Sequence, residues 1–154
     1  VMDSRVPVIT IDGPSGTGKG TVAKKLALIK GWNYLDSGAV YRAFAWFVLH
    51  SGVESPDEKI CLHLLDQFDL SFRFSDEGVY QVFSGETEIT NLIRQEKIGL
   101  QASVLSSNDM IRKKLLDFQL RFCRSPGLVT DGRDMGTVVF PEASYKFYLT
   151  ADVG

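Results

Sequence analysis

The sequence predicts an α/β protein: a parallel sheet with flanking helices, a glycine-rich loop of the phosphate-binding kind, and a small three-stranded antiparallel insert. Three observations predict it. Apolar runs and helical stripes alternate from Val6 to His50. A glycine-rich loop, Gly13-Pro14-Ser15-Gly16-Thr17-Gly18-Lys19-Gly20-Thr21, joins the first strand to the first helix. Between Leu70 and Thr90 the pattern switches to short alternating strands.

Residues 6–12 are almost continuously apolar, as suits a parallel strand covered on both faces. From Lys19 the period becomes helical, with Val22, Ala23, Leu26, Ala27 and Ile29 as the apolar stripe and Lys24, Lys25 and Lys30 facing solvent. Gly31 stops that helix. Trp32 to Asp36 read as a second strand. Gly38 to His50 read as a second helix on Val40, Tyr41, Phe44, Ala45, Phe47 and Val48, ending at Gly52.

A short helix over about 57–67 precedes the insert. Leu70, Phe72 and Phe74 alternate with Ser71, Arg73 and Ser75, and Val79–Phe83 and Glu86–Thr90 follow across turn residues, which predicts a meander. Helical signal returns from Ile93 to about Ser106. Ser107 or Asn108 is placed to cap a further helix running to Arg124. Leu128–Asp131 and Tyr145–Thr150 complete the parallel strands. The expected organisation is one domain over 1–154, with a core of 5–53 and 93–151 and an insert of about 54–92 without a large core of its own.

Composition bounds the function. The 154 residues are 44% hydrophobic and 23% charged with a net charge of −2. That is ordinary for a globular protein and lacks the basic field of a nucleic-acid binder. No run reaches membrane-spanning length, and no secretory signal is recognisable. Cys61 and Cys123 lack zinc spacing and read as reduced thiols of a cytoplasmic protein; His50 and His63 stand alone. Val1 ahead of Met2 reads as a cloning remnant.

Three motifs carry chemistry. In the glycine-rich loop, Gly13, Gly16 and Gly18 let the backbone curl around phosphate oxygens. Lys19 suits the β- and γ-phosphates, and Thr21 is the nearest hydroxyl for Mg²⁺ or an α-phosphate. Leu35-Asp36-Ser37-Gly38, followed by Tyr41-Arg42, lies where an open α/β sheet binds ligands, although Asp-Ser-Gly is equally a common helix start. Asp131-Gly132-Arg133-Asp134-Met135-Gly136-Thr137 stands at another strand's carboxyl end. There Asp131 is placed like the carboxylate that orients Mg²⁺, and Arg133–Asp134 is either a functional or a plain surface pair. Thr21, Asp36 and Asp131 are the candidate metal residues.

Together GPSGTGKGT, LDSGAVYR and DGRDMGTVVFP resemble the bacterial cytidylate kinase family of nucleoside monophosphate kinases, over almost the whole chain. The resemblance implies phosphoryl transfer from ATP, with Mg²⁺, to CMP or dCMP. It implies that Gly13–Thr21 hold the ATP phosphates, that Ser37 contacts the ribose, and that Arg42 and Arg133 hold the monophosphate. Ser103, Arg112 and Asp134 would contact cytosine, with Lys19 and Arg133 carrying the catalytic charge stabilisation. Asp134 suits cytosine chemically, since a carboxylate accepts from the exocyclic amine and repels the carbonyl that uracil has there.

In that family an arginine-rich lid, a further helix and a last strand follow the segment Lys146–Thr150. Their absence from this sequence reads as a truncated polypeptide or part of a longer protein. The alternatives are a kinase for UMP, AMP or a non-nucleotide acceptor, and a nucleotide-binding module without useful catalysis. A monomer without nucleic-acid or membrane partners is expected.

Overall fold

The computed structural model describes residues 6–150; Val1 and the outermost expected core positions, 5 and 151, lie outside the described residues. The chain forms two compact units. One comprises the segment up to Ser37 and that from Gln119 onward, the other Gly38–Phe118.

The first unit carries a parallel sheet of β1 (Val8–Asp12), β2 (Asn33–Asp36), β6 (Leu128–Gly132) and β7 (Tyr145–Tyr148), in the order β2-β6-β1-β7. All five residues of β1 and of β6 are buried, so both faces are covered and the near-continuous apolar runs are explained. Outermost β7 has all four residues exposed and stops two residues short of the expected Thr150.

Helix α1 (Lys19–Lys30) packs through Ala23 and Ala27, one turn apart, with Leu26 half-buried. The broader stripe predicted for it does not form. Val22 and Ile29 are exposed, Ile29 to 82%. Gly31 ends the helix in the left-handed region, as its sequence position implies.

The second unit holds α2 (whose full range, Ser37–Leu49, begins in the first unit), α3 (Glu58–Gln67), the antiparallel sheet β3 (Leu70–Phe74), β4 (Tyr80–Ser84) and β5 (Thr87–Glu88), α4 (Glu96–Ser106) and most of α5 (Asp109–Leu120). The three strands share their unit with these helices. Phe68 is the hub of its core, with ring centroids 5.4 Å from Phe44, 5.4 Å from Phe47 and 5.1 Å from Phe118. Centroid spacings of this size are those at which aromatic pairs attract one another.

Side-chain caps set several boundaries. Asp57 accepts from the Ile60 amide at 2.9 Å, and Asn108, not Ser107, accepts from the Ile111 amide at 3.0 Å. The last strand is shorter than Glu86–Thr90 because the Thr90 hydroxyl takes the Val82 amide at 2.9 Å in place of a ladder bond. The helix expected from Ile93 divides into a 3-10 turn, Leu92–Arg94, and α4, separated by extended Gln95. Helix α5 ends at Leu120, four residues before Arg124, where the Phe122 and Cys123 amides close tighter turns on Gln119 and Leu120. No helix of the described residues is long and apolar enough to cross a membrane.

Candidate phosphate and acceptor site

In the first unit, β1 enters the loop through Gly13, whose φ of +154° favours glycine. Its amide donates to the Gly132 carbonyl at 3.1 Å, and a Cβ there would lie 2.5 Å from the Leu149 carbonyl oxygen. Gly16 and Gly18 have φ of +82° and +81°. The Thr17 hydroxyl donates to the Pro14 carbonyl at 3.0 Å, and the Lys19 ammonium reaches that same carbonyl at 3.3 Å. Helix α1 starts from Gly18 with no side-chain cap and no acidic residue in its first turn. Its leading amides and dipole are therefore not answered by a neighbouring carboxylate of the helix itself, which suits an anion. Thr21 is exposed on this turn.

The third motif reaches the loop directly: Arg133 Nη2 donates to Ser15 Oγ at 3.2 Å. Arg133 is exposed and Asp134 half-buried. Asp134 precedes a single π-helical turn, Met135–Val139, and its main-chain carbonyl accepts from the Val138 and Val139 amides. Its side chain makes no capping hydrogen bond to that turn.

Asp36, the last residue of β2, pairs in register with Asp131, the penultimate residue of β6, so their side chains leave the same face of the sheet. Tyr34, two residues before Asp36, donates from Oη to Asp131 Oδ1 at 2.5 Å. Burial, and then the like charge of Asp36, push the Asp131 carboxyl up to about 6, while the Tyr34 bond and the Lys19 and Lys24 ammonium groups pull the other way. A Cβ on Gly20 would stand 3.7 Å from Asp131 Oδ2, so this carboxylate lies beneath the first turn of α1. Two mutually repelling carboxylates are hard oxygen donors that suit Mg²⁺. Among the described residues no three His, Cys, Asp or Glu side chains form a metal cluster.

Two polar residues of the first unit escaped sequence reading. Asp12, 5% exposed, accepts from the Met135 and Gly136 amides, both at 2.8 Å. Gln119, 1% exposed, accepts from the Ser37 hydroxyl at 2.8 Å. An aspartate closing an apolar strand was the only available signal for Asp12; Gln119 sits within an ordinary amphipathic helix and gave none.

The remaining candidates belong to the second unit. Arg42 is half-buried on α2, while Ser103 on α4 and Arg112 on α5 are exposed. Arg112 pairs with Asp109 at 3.9 Å within its own helix. The histidines are locally engaged, His50 stacked on Trp46 at 4.6 Å and His63 beside Gln67 at 3.3 Å. Cys61 is a free thiol, raised by burial and then by the Asp57 charge.

Against this geometry, the family model described as cytidylate kinase matches residues 9–154. A cytidylate kinase of a Marinomonas species is 48% identical over 150 residues, covering 97% of this chain and 66% of that protein. Those of Stutzerimonas stutzeri and Methylococcus capsulatus are 49% and 47% identical over 95% and 97% of the chain, and 64% and 67% of their own lengths. The chain thus spans about two thirds of the length of the curated relatives it matches. It belongs to the cytidylate kinase family.

Proposed function

We propose that the protein is an ATP-dependent nucleoside monophosphate kinase that phosphorylates CMP or dCMP. The observation that carries this reading is the Arg133–Ser15 hydrogen bond, which joins the DGRDMGT turn to the donor phosphate loop. A guanidinium there lies beside the loop that suits the ATP phosphates, where it can bridge donor and acceptor phosphates.

In this reading a CMP phosphate oxygen attacks the ATP γ-phosphorus in line. The bond from the γ-phosphorus to the β,γ-bridging oxygen breaks, and ADP leaves with that oxygen. Loop residues Gly13–Thr21 hold the triphosphate, Lys19 follows the charge on the β- and γ-oxygens, and Arg133 and Arg42 orient the acceptor phosphate. Ser37 contacts the ribose, and Ser103, Arg112 and Asp134 read cytosine. When bound, Mg²⁺ offsets phosphate charge, and Asp36, Asp131 and Thr21 are the residues that would hold it or its waters. A cytoplasmic setting and a monomeric state complete the proposed reading.

The test is ADP release by the full-length protein offered CMP, dCMP, UMP and AMP in turn. CMP or dCMP should exceed UMP and AMP in kcat/KM by roughly tenfold or more, the scale of one good base contact. Equal use of all four removes the cytosine assignment. Failure to release ADP with any of them leaves a nucleotide-binding module.

A further inference from the structure

Asp12 is a buried carboxylate that the kinase reading does not use. It ends β1 in register with Gly132 of β6, on the face of the sheet opposite Asp131. Its two oxygens are divided between neighbouring amides: Oδ1 accepts from Met135 N–H and Oδ2 from Gly136 N–H, each at 2.8 Å. Those amides open the π-helical turn Met135–Val139, where backbone donors lack partners within the turn. Ordinarily the residue at the capping position satisfies them with its own side chain. Here that residue is Asp134, and its side chain makes no such bond. A residue more than a hundred positions away in sequence has taken the capping role.

We propose that Asp12 is a positioning residue for acceptor recognition: by capping the Met135–Val139 turn from the neighbouring strand, it keeps the Asp134 carboxylate from folding back on that turn and holds it available to the acceptor base. This rests on the reading of Asp134 as a cytosine contact. The close fit supports it. Gly136 has no room for a side chain, since a Cβ would come within 2.6 Å of Thr10 Oγ1 and 3.4 Å of Asp12 Oδ2, so the amide approaches the carboxylate without obstruction. The other end of Asp12 is fixed as well, its main-chain carbonyl accepting from the Leu149 amide at 2.8 Å.

Asp12→Asn is the informative change. It keeps shape and one acceptor but turns an amide donor toward a backbone donor, so one of the two capping bonds is lost. The capping amides then become available to Asp134, the residue next to them in the chain. In the full-length protein, the preference for CMP over UMP in kcat/KM should fall by roughly tenfold, the scale of one base contact. In an Asp134→Ala background the same change should leave the residual preference within about twofold, because there is no carboxylate left to misplace.

An unchanged preference in Asp12→Asn overturns the proposal, and so does an equal loss with and without Asp134. If the unaltered protein does not prefer CMP to UMP, the cytosine reading itself has failed, a result distinct from either. Should the variant not fold, amide exchange in the unaltered protein decides. Slow exchange at Met135 and Gly136 supports the cap, and exchange as fast as at exposed Arg133 overturns it.

Discussion

Asp131 gives the fold a pH dependence of definite sign. Its carboxyl is 6% exposed and raised from the ordinary 3.8 to about 6, chiefly by burial and then by Asp36. Between these values the folded protein keeps a proton that the unfolded chain releases. Stability therefore falls as pH rises through that window and is flat above it. A difference of about two pK units corresponds to about 3 kcal/mol. Asp131→Asn carries no charge, so the variant should gain on the parent by about that amount between pH 4 and 7 in metal-free buffer. With a urea slope of about 2 kcal/mol/M, the gap between their midpoints should widen by about 1.5 M. The natural probe is Trp32, which belongs to the same unit, lies against Gly127 and has the Lys30 ammonium 4.6 Å above its ring. Trp46, in the other unit, is replaced by Phe to silence it. A constant gap between parent and Asp131→Asn from pH 4 to 7, or one that narrows, refutes the reasoning.

Other substitutions test the loop and the base contact. Lys19→Ala in the full-length protein should lower kcat by about 10²–10³, as removing a donor from developing charge does elsewhere; near-normal turnover in a coupled ADP assay counts against the phosphate-loop assignment. Asp134→Ala should raise KM for CMP about tenfold or more while KM for ATP stays within about twofold, and equal effects on both would remove its base-reading role. Gly13→Ala combines a φ of +154° with a Cβ 2.5 Å from the Leu149 carbonyl. It should cost about 1–3 kcal/mol in urea unfolding. An unmoved midpoint would mean that the Leu149 segment gives way easily.

The architecture was legible where one strong local signal decided it. Glycines bounded α1, unbroken apolar runs marked β1 and β6, and strict alternation marked β3. What the sequence concealed were matters of partnership. Val22 and Ile29 match a helical stripe, yet both are exposed, and only Ala23 and Ala27 of α1 are fully buried. The length of β5 depended on one hydroxyl, Thr90, competing for the Val82 amide. In the site, Lys19 and Arg133 were visible because their motifs are contiguous. Asp12 and Gln119 were not, because each meets its partner across long stretches of sequence, and a lone Asp or Gln carries no period.

The Arg133–Ser15 bond also has a thermodynamic side. The arginine assigned to the acceptor phosphate is anchored on a hydroxyl of the donor loop, so neither ligand meets an independent surface. In the proposed reading, the factor by which bound ATP changes the affinity for the acceptor is the factor by which the bound acceptor changes the affinity for ATP. Ser15→Ala should therefore bring the two affinities nearer to independence, with each nucleotide titrated alone and then in the presence of an unreactive analogue of the other.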